Sequence, residues 1–143
     1  MIGRHICQTV YNECMARGSK SLSLDDLFAA LADATRLRLL NLMAGREVCV
    51  CHFVEILGQS QPKISRHLAS LRKAGIVKAR REGKWMHYSI CAPADPPASS
   101  ILAAVLTAFG NDKQMKADRG KLERVRCVIL KEELTRFGKA NTA

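Results

Sequence analysis

From Leu24 the apolar positions Leu24, Leu27, Phe28 and Leu31 recur at three- and four-residue intervals, the spacing of one helix face. Ser23 precedes them with Asp26 three residues on, a start resembling a capping box. Asp33 opens a second segment in which Leu37, Leu39, Leu40, Leu42 and Met43 supply apolar surface, and Gly45 ends it. Residues 48–57 form a short apolar run, read as a helix closed by Gly58. Ser60 is the N-cap candidate of the next helix, two residues before Pro62, and Ile64, Leu68, Leu71 and Ala74 make its buried stripe up to Gly75. The period then shortens. Residues 76–81 and 85–90 carry β-branched and aromatic side chains on either side of Glu82, Gly83 and Lys84, which predicts a hairpin.

Helix resumes near Ala98 after Pro93, Pro96 and Pro97, with Ile101, Leu102, Val105, Leu106 and Phe109 on a broad apolar face. A last amphipathic helix is expected from about Ala117 to Phe137, and a weak stripe of Ile2, Ile6, Val10 and Cys14 suggests a short one over residues 1–20. The pattern is mostly α with a β-hairpin. It divides into residues 1–112, expected as one domain, and a helical tail over 113–143. The longest apolar run, Ile101 to Leu106, is too short to cross a bilayer, and no long apolar block opens the chain, so no membrane partner and a cytoplasmic location are expected.

Charge changes the picture because it is not spread. The formal net charge is +10, yet residues 1–59 hold six basic and six acidic side chains. Residues 60–91 carry eight basic residues against Glu82 alone. A second, weaker excess follows over 113–139. Concentration in one segment is the footprint of a polyanion-binding module, with nucleic acid ahead of an anionic membrane surface.

A short helix, a Gly-containing turn, a polar-faced helix and a basic hairpin follow one another in the order of a winged helix-turn-helix. With Ile64 anchoring the second helix, Ser60, Gln61, Lys63, Ser65, Arg66 and His67 are left to face outward as candidate DNA contacts. Such residues near a helix start can pair with base edges or hold phosphates through hydroxyls and the positive helix end. Arg80, Arg81 and Lys84 at the hairpin tip suit phosphate or minor-groove contact, while Trp85, His87 and Tyr88 read as packing residues of the wing. One recognition helix reads only a few base pairs, so a homodimer over double-stranded operator DNA is expected.

The stretches Leu31–Arg36, Val48-Cys49-Val50-Cys51, Gln59–Leu68 and Gly83–Tyr88 are similar, in order and spacing, to the ArsR/SmtB family of metal-responsive repressors, over roughly residues 23–110. The resemblance implies a homodimer of winged helix-turn-helix subunits that occupies an operator when empty and leaves it when metal binds. The arsenical branch resembles the chain most, through Cys-Val-Cys before the recognition helix. Where that branch often has a third cysteine, three residues after the second, this chain has Val54. The ligand pattern of the family's zinc sites is missing after Ile90.

Two thiolates one residue apart, without companion imidazole or carboxylate, favour thiophilic ions over Mg or Ca. Trivalent arsenic, As(III), is the expected inducer at Cys49 and Cys51, with Sb(III), Cd(II) and Pb(II) as alternatives. Cys7 and Cys14 either complete the shell, in cis or from a partner subunit, or are ordinary small apolar positions. A three-thiolate shell suits arsenic or antimony, while four thiolates resemble the cadmium- and lead-sensing branch. Arg46 and the helix start would lower the thiol pKa, with burial and Glu47 opposing. On a regular helix positions i and i+2 lie about 200° apart, so an ion held by both sulfurs is expected to distort that helix and move Lys63, Ser65, Arg66 and His67. Two rivals stay open: a dithiol enzyme, which lacks Cys-x-x-Cys spacing and a βαβ context, and a DNA-binding switch in which the pair forms a disulfide.

Overall fold

The computed structural model describes residues 22–125, a mainly helical unit with a small antiparallel sheet, the winged helix-turn-helix architecture. Its order is α1 (Leu24–Leu31), α2 (Ala34–Met43), β1 (Val48–Cys49), α3 (Val50–Leu57), α4 (Gln61–Lys73), β2 (Val77–Glu82), β3 (Trp85–Ile90) and α5 (Pro96–Ala108). A single 3-10 turn, Phe109–Asn111, leads into α6 over residues 113–125. The helix expected over residues 1–20, with Cys7 and Cys14, and the part of the last expected helix beyond residue 125 lie outside the described residues.

The caps form where the side chains allow them. Ser23 Oγ accepts from the Asp26 backbone N–H at 3.1 Å, and Asp33 Oδ1 accepts from that of Arg36 at 2.9 Å. Each supplies an acceptor to a first-turn donor that the helix itself cannot satisfy. Arg36 then reaches back, donating to the carbonyls of Ala30 at 2.7 Å and Ala29 at 2.8 Å, which finishes α1 from the next helix. Gly58 ends α3 at φ +64°, in the left-handed region, and its N–H closes onto the Val54 carbonyl at 3.0 Å.

The run 48–57 is not one helix. Val48 and Cys49 are extended and pair with β3, Val48 opposite Tyr88 and Cys49 opposite His87, so the expected hairpin is a three-stranded sheet of order β1-β3-β2. A continuous apolar run has no period that separates two strand residues from the helix after them. Two other boundaries move: α5 begins at Pro96, with proline accommodated in its first turn, and α6 begins at residue 113, where Asp112 Oδ1 accepts from the Met115 N–H at 2.9 Å.

The core gathers Leu27, Leu39, Leu40, Phe53, Ile64, Leu68, Leu71 and Ile76, all fully enclosed. Ile64, Leu68 and Leu71 are the expected inner stripe of α4, which fixes the opposite face outward. One sheet face brings Val48 and Tyr88 to that core, with the Tyr88 ring tilted against Phe53 at 6.4 Å between centroids. The other face carries the row Cys49, His87 and Arg80 across the three strands. On the far side α6 seats Met115 and Leu122 on the core, beside an ion pair of Arg38 with the enclosed Asp118.

Candidate nucleic-acid interface and thiol site

Ser60, Gln61, Lys63 and Arg66 are exposed on α4, on the sides away from its buried stripe. Ser60 is the N-cap by backbone geometry but makes no side-chain cap hydrogen bond, so its hydroxyl is not committed to the first turn. Ser65 is half-buried. His67 departs from the expected outward placement: it is half-buried, with Nδ1 3.5 Å from Asp33 Oδ1, and ties the recognition helix to the start of α2. Burial raises the Asp33 pKa, but the Arg36 backbone hydrogen bond and the charges of His67 and Arg36 outweigh it and hold the carboxyl below its ordinary value. Ala69 and Ser70, three and four residues after Arg66, are equally exposed, and the Ser70 hydroxyl donates to the Arg66 carbonyl at 3.2 Å. Helical arithmetic from Arg66 would have found both.

The wing turns at Gly83 (φ +58°) and Lys84, and presents Arg81, Lys84 and Trp85 to solvent. Arg81 Nε donates to the Gly83 carbonyl at 3.1 Å, and Lys84 Nζ stands 5.5 Å from the Trp85 ring centre. Trp85 was expected to pack. It is 47% exposed because it sits where the two strands leave the core, whereas Tyr88, three residues on, is enclosed. His87 is half-buried between two carboxylates, Nε2 3.5 Å from Glu82 and Nδ1 4.0 Å from Glu47.

Arg80 is solvent-exposed but already engaged. Its Nη2 donates to Glu47 Oε1 at 2.6 Å and to Glu82 Oε2 at 2.9 Å, and its Nε lies 3.1 and 3.2 Å from the two Glu47 oxygens. The hydrogen bond from Arg80 holds the Glu47 carboxyl below its ordinary range and pushes the guanidinium further up.

The thiols meet one element earlier. Cys49 is the extended N-cap of α3 and Cys51 lies in its first turn, so the helical 200° separation does not apply. The Cys51 thiol donates to Cys49 Sγ at 3.0 Å, and both are free thiols. Two thiolates on one tetrahedral ion at ~2.3 Å stand about 3.8 Å apart, so the pair can close on a thiophilic ion by opening about 0.8 Å, without unwinding α3. Burial first, then the contact with Cys49, pushes the Cys51 thiol up to about 12. Arg46 does not lower the Cys51 thiol. Arg46 pairs with Glu123, and Glu47 with Arg80, so neither charge is directed at the sulfurs. Val54 is partly buried, and among the described residues no set of three or more His, Cys, Asp or Glu could hold a metal ion. The donor set fits a soft two-coordinate chelate, and any further sulfur must come from outside those residues.

Among known proteins, residues 33–79 match the family described as bacterial regulatory protein, arsR family. The arsenical resistance operon repressor of Escherichia coli (strain K12) is 52% identical over 65 residues, 45% of this chain and 56% of its own length, so the chain spans little more than half of that relative. An uncharacterised helix-turn-helix-type transcriptional regulator of Methanocaldococcus jannaschii is 50% identical over 66 residues, 46% of this chain and 74% of its own. In three dimensions the chain is similar to the homodimeric winged helix-turn-helix DNA-binding domain of a possible ArsR-family regulator from Mycobacterium bovis. The TM-score is 0.51 at 29% identity, covering 63% of this chain and 81% of that one.

Proposed function

This chain belongs to the ArsR family of bacterial regulatory proteins, and from that premise we propose that it is a homodimeric repressor that holds double-stranded operator DNA and lets it go when trivalent arsenic closes on Cys49 and Cys51. The observation that carries the reading is the pair of sulfurs at 3.0 Å, at the junction of the wing sheet with the helix-turn-helix. On the DNA side, Ser60, Gln61, Lys63, Ser65 and Arg66 of α4 and Arg81 and Lys84 of the wing supply donors for base edges and phosphates. His67 acts by orienting α4 through Asp33. For the dimer, Ile101, Val105 and Leu106 of α5 are only partly buried and offer apolar surface to a second copy. The wing and helix-turn-helix share the thiol strand, so ligand and DNA binding are linked, and the linkage is reciprocal.

Operator release titrated with arsenite, antimonite, cadmium and lead tests this, on the full chain and on Cys49→Ser, Cys51→Ser, Cys7→Ser and Cys14→Ser. Loss of the arsenite response in the first two variants alone supports a minimal chelate. Loss in all four, with cadmium or lead the stronger inducer, points to a four-thiolate shell. Arsenite and operator bound together without mutual weakening would overturn the proposal. Release by oxidant with no response to arsenite would replace it by a disulfide switch, which the close sulfurs would also serve.

A further inference from the structure

Sequence order sends any signal from Cys51 along α3 and its turn into α4, but the sheet offers a second route. Cys49 is in β1, the two-residue edge strand, whose ladder to the wing consists of the pairs Val48–Tyr88 and Cys49–His87. A ladder this short is a weak mechanical link. It is reinforced by a side-chain bridge that spans the whole sheet. Glu47, next to β1, reaches over the central strand to Arg80 of β2, and the guanidinium fork is completed by Glu82 near the wing tip. His87, opposite both Cys49 and Arg80 in the register, lies beneath this bridge with its two nitrogens toward the two carboxylates.

We infer that Arg80 is a positioning residue and not a DNA contact: the Glu47–Arg80–Glu82 bridge ties the thiol strand to the wing and carries the state of Cys49 and Cys51 to the wing tip. The inference rests on the thiol-sensing reading above and deepens it. A guanidinium held by two carboxylates at 2.6 and 2.9 Å has its net charge cancelled locally, so it adds little to the attraction for phosphate. The same bidentate geometry resists sliding of β1 against β2. When the sulfurs open by a fraction of an ångström around an ion, Cys49 moves with the edge strand, and the bridge transmits that shift two strands away. Without it, the link between β1 and the wing falls back on the backbone pairs Val48–Tyr88 and Cys49–His87 and the longer approach of His87 to Glu47.

The chain provides its own reporter, since its one tryptophan is Trp85, exposed at the base of the wing turn. In the full chain without DNA, arsenite and the dithiol reagent phenylarsine oxide are titrated while Trp85 emission and the number of thiols open to a chromogenic disulfide are followed together. The wild type is expected to lose two reactive thiols and to change its emission. Glu47→Gln and Arg80→Gln are expected to lose the same two thiols with the emission change reduced at least about threefold, and Arg80→Lys, which keeps the charge, to fall between. On operator DNA, Arg80→Gln is expected to keep the wild-type salt slope and to need at least about tenfold more arsenite for release. A slope lower by about one makes Arg80 a phosphate contact and overturns the inference. So does capping of both thiols with an emission change equal in all four proteins, or absent in the wild type. If the wild-type thiols take up neither reagent, the thiol-sensing reading fails first and this inference with it. Circular dichroism identifies any variant that does not fold, and the remaining variants then decide.

Discussion

Two sulfur atoms 3.0 Å apart, one in a thiol pushed up to about 12, make the proton count of binding a fingerprint of the ligand. A divalent ion displaces a proton from each thiol that is protonated in the free protein, so cadmium affinity should rise by about tenfold per pH unit per proton below the thiol pKa. Neutral arsenous acid exchanges two of its three hydroxyls for the two sulfurs, each leaving as water with a thiol proton while the third stays on arsenic, so arsenite affinity should stay flat between about pH 6 and 8. Competition titrations at three pH values separate the two. Asp33 gives a second residue-scale expectation. Asp33→Ala removes the cap of α2 and the partner of His67 and should cost about 1 kcal/mol in a urea melt. Because the folded pKa of Asp33 lies below its ordinary value of 3.8, its contribution is complete above that value and is lost as pH falls through the folded one. Both caps were legible in the sequence, since a short polar residue three positions before an N–H is a local signal. The meeting of Cys49 and Cys51 was not, because a helix drawn over both residues turns their sulfurs apart.

At the scale of elements, α4 depends on its enclosed stripe. Leu68→Ala should destabilise the fold by roughly 2–5 kcal/mol, because the side chain is fully buried where α4 meets the core, and Lys63→Ala, on the exposed side, should change stability little while weakening DNA binding. At Gly58 a Cβ would meet nothing within 4 Å, so Gly58→Ala should cost about 1 kcal/mol through its positive φ alone. Thermal melts against the wild type check both. The helices and hairpin were readable because their periods run over six residues or more. The edge strand was not: Val48 and Cys49 have no period of their own, and only pairing with Tyr88 and His87, some forty residues later, makes them a strand.

The whole molecule adds what no local pattern could announce. The last described helix was expected as part of a tail after residue 112, and its polar anchors become visible only once α2 lies beside it. Arg38 forks onto Asp118 at 2.7 and 2.9 Å, Asn41 donates to the Met115 carbonyl at 3.0 Å and receives Arg119, and Gln114 donates to Asp118 at 2.9 Å. Asp118 is fully enclosed, so Asp118→Ala leaves Arg38 without its counter-charge and should cost roughly 3–5 kcal/mol of unfolding free energy, read by denaturant titration. For DNA, a dimer neutralising about six to ten phosphates should lose about 10³ to 10⁵-fold in operator affinity between about 50 and 200 mM salt, and a flat response would contradict the interface assigned to α4 and the wing. The alternation of the sheet sets a further condition on the molecule. Val48 goes to the interior with Tyr88, and Cys49 takes the opposite side with His87, purely by odd and even position along a strand of two. One extra residue spliced in ahead of Val48 without a compensating bulge would exchange those sides, turning a sulfur inward and a valine toward the proposed thiol chelate. The proposed chelation is therefore vulnerable to a shift in counting that leaves every chemical group present.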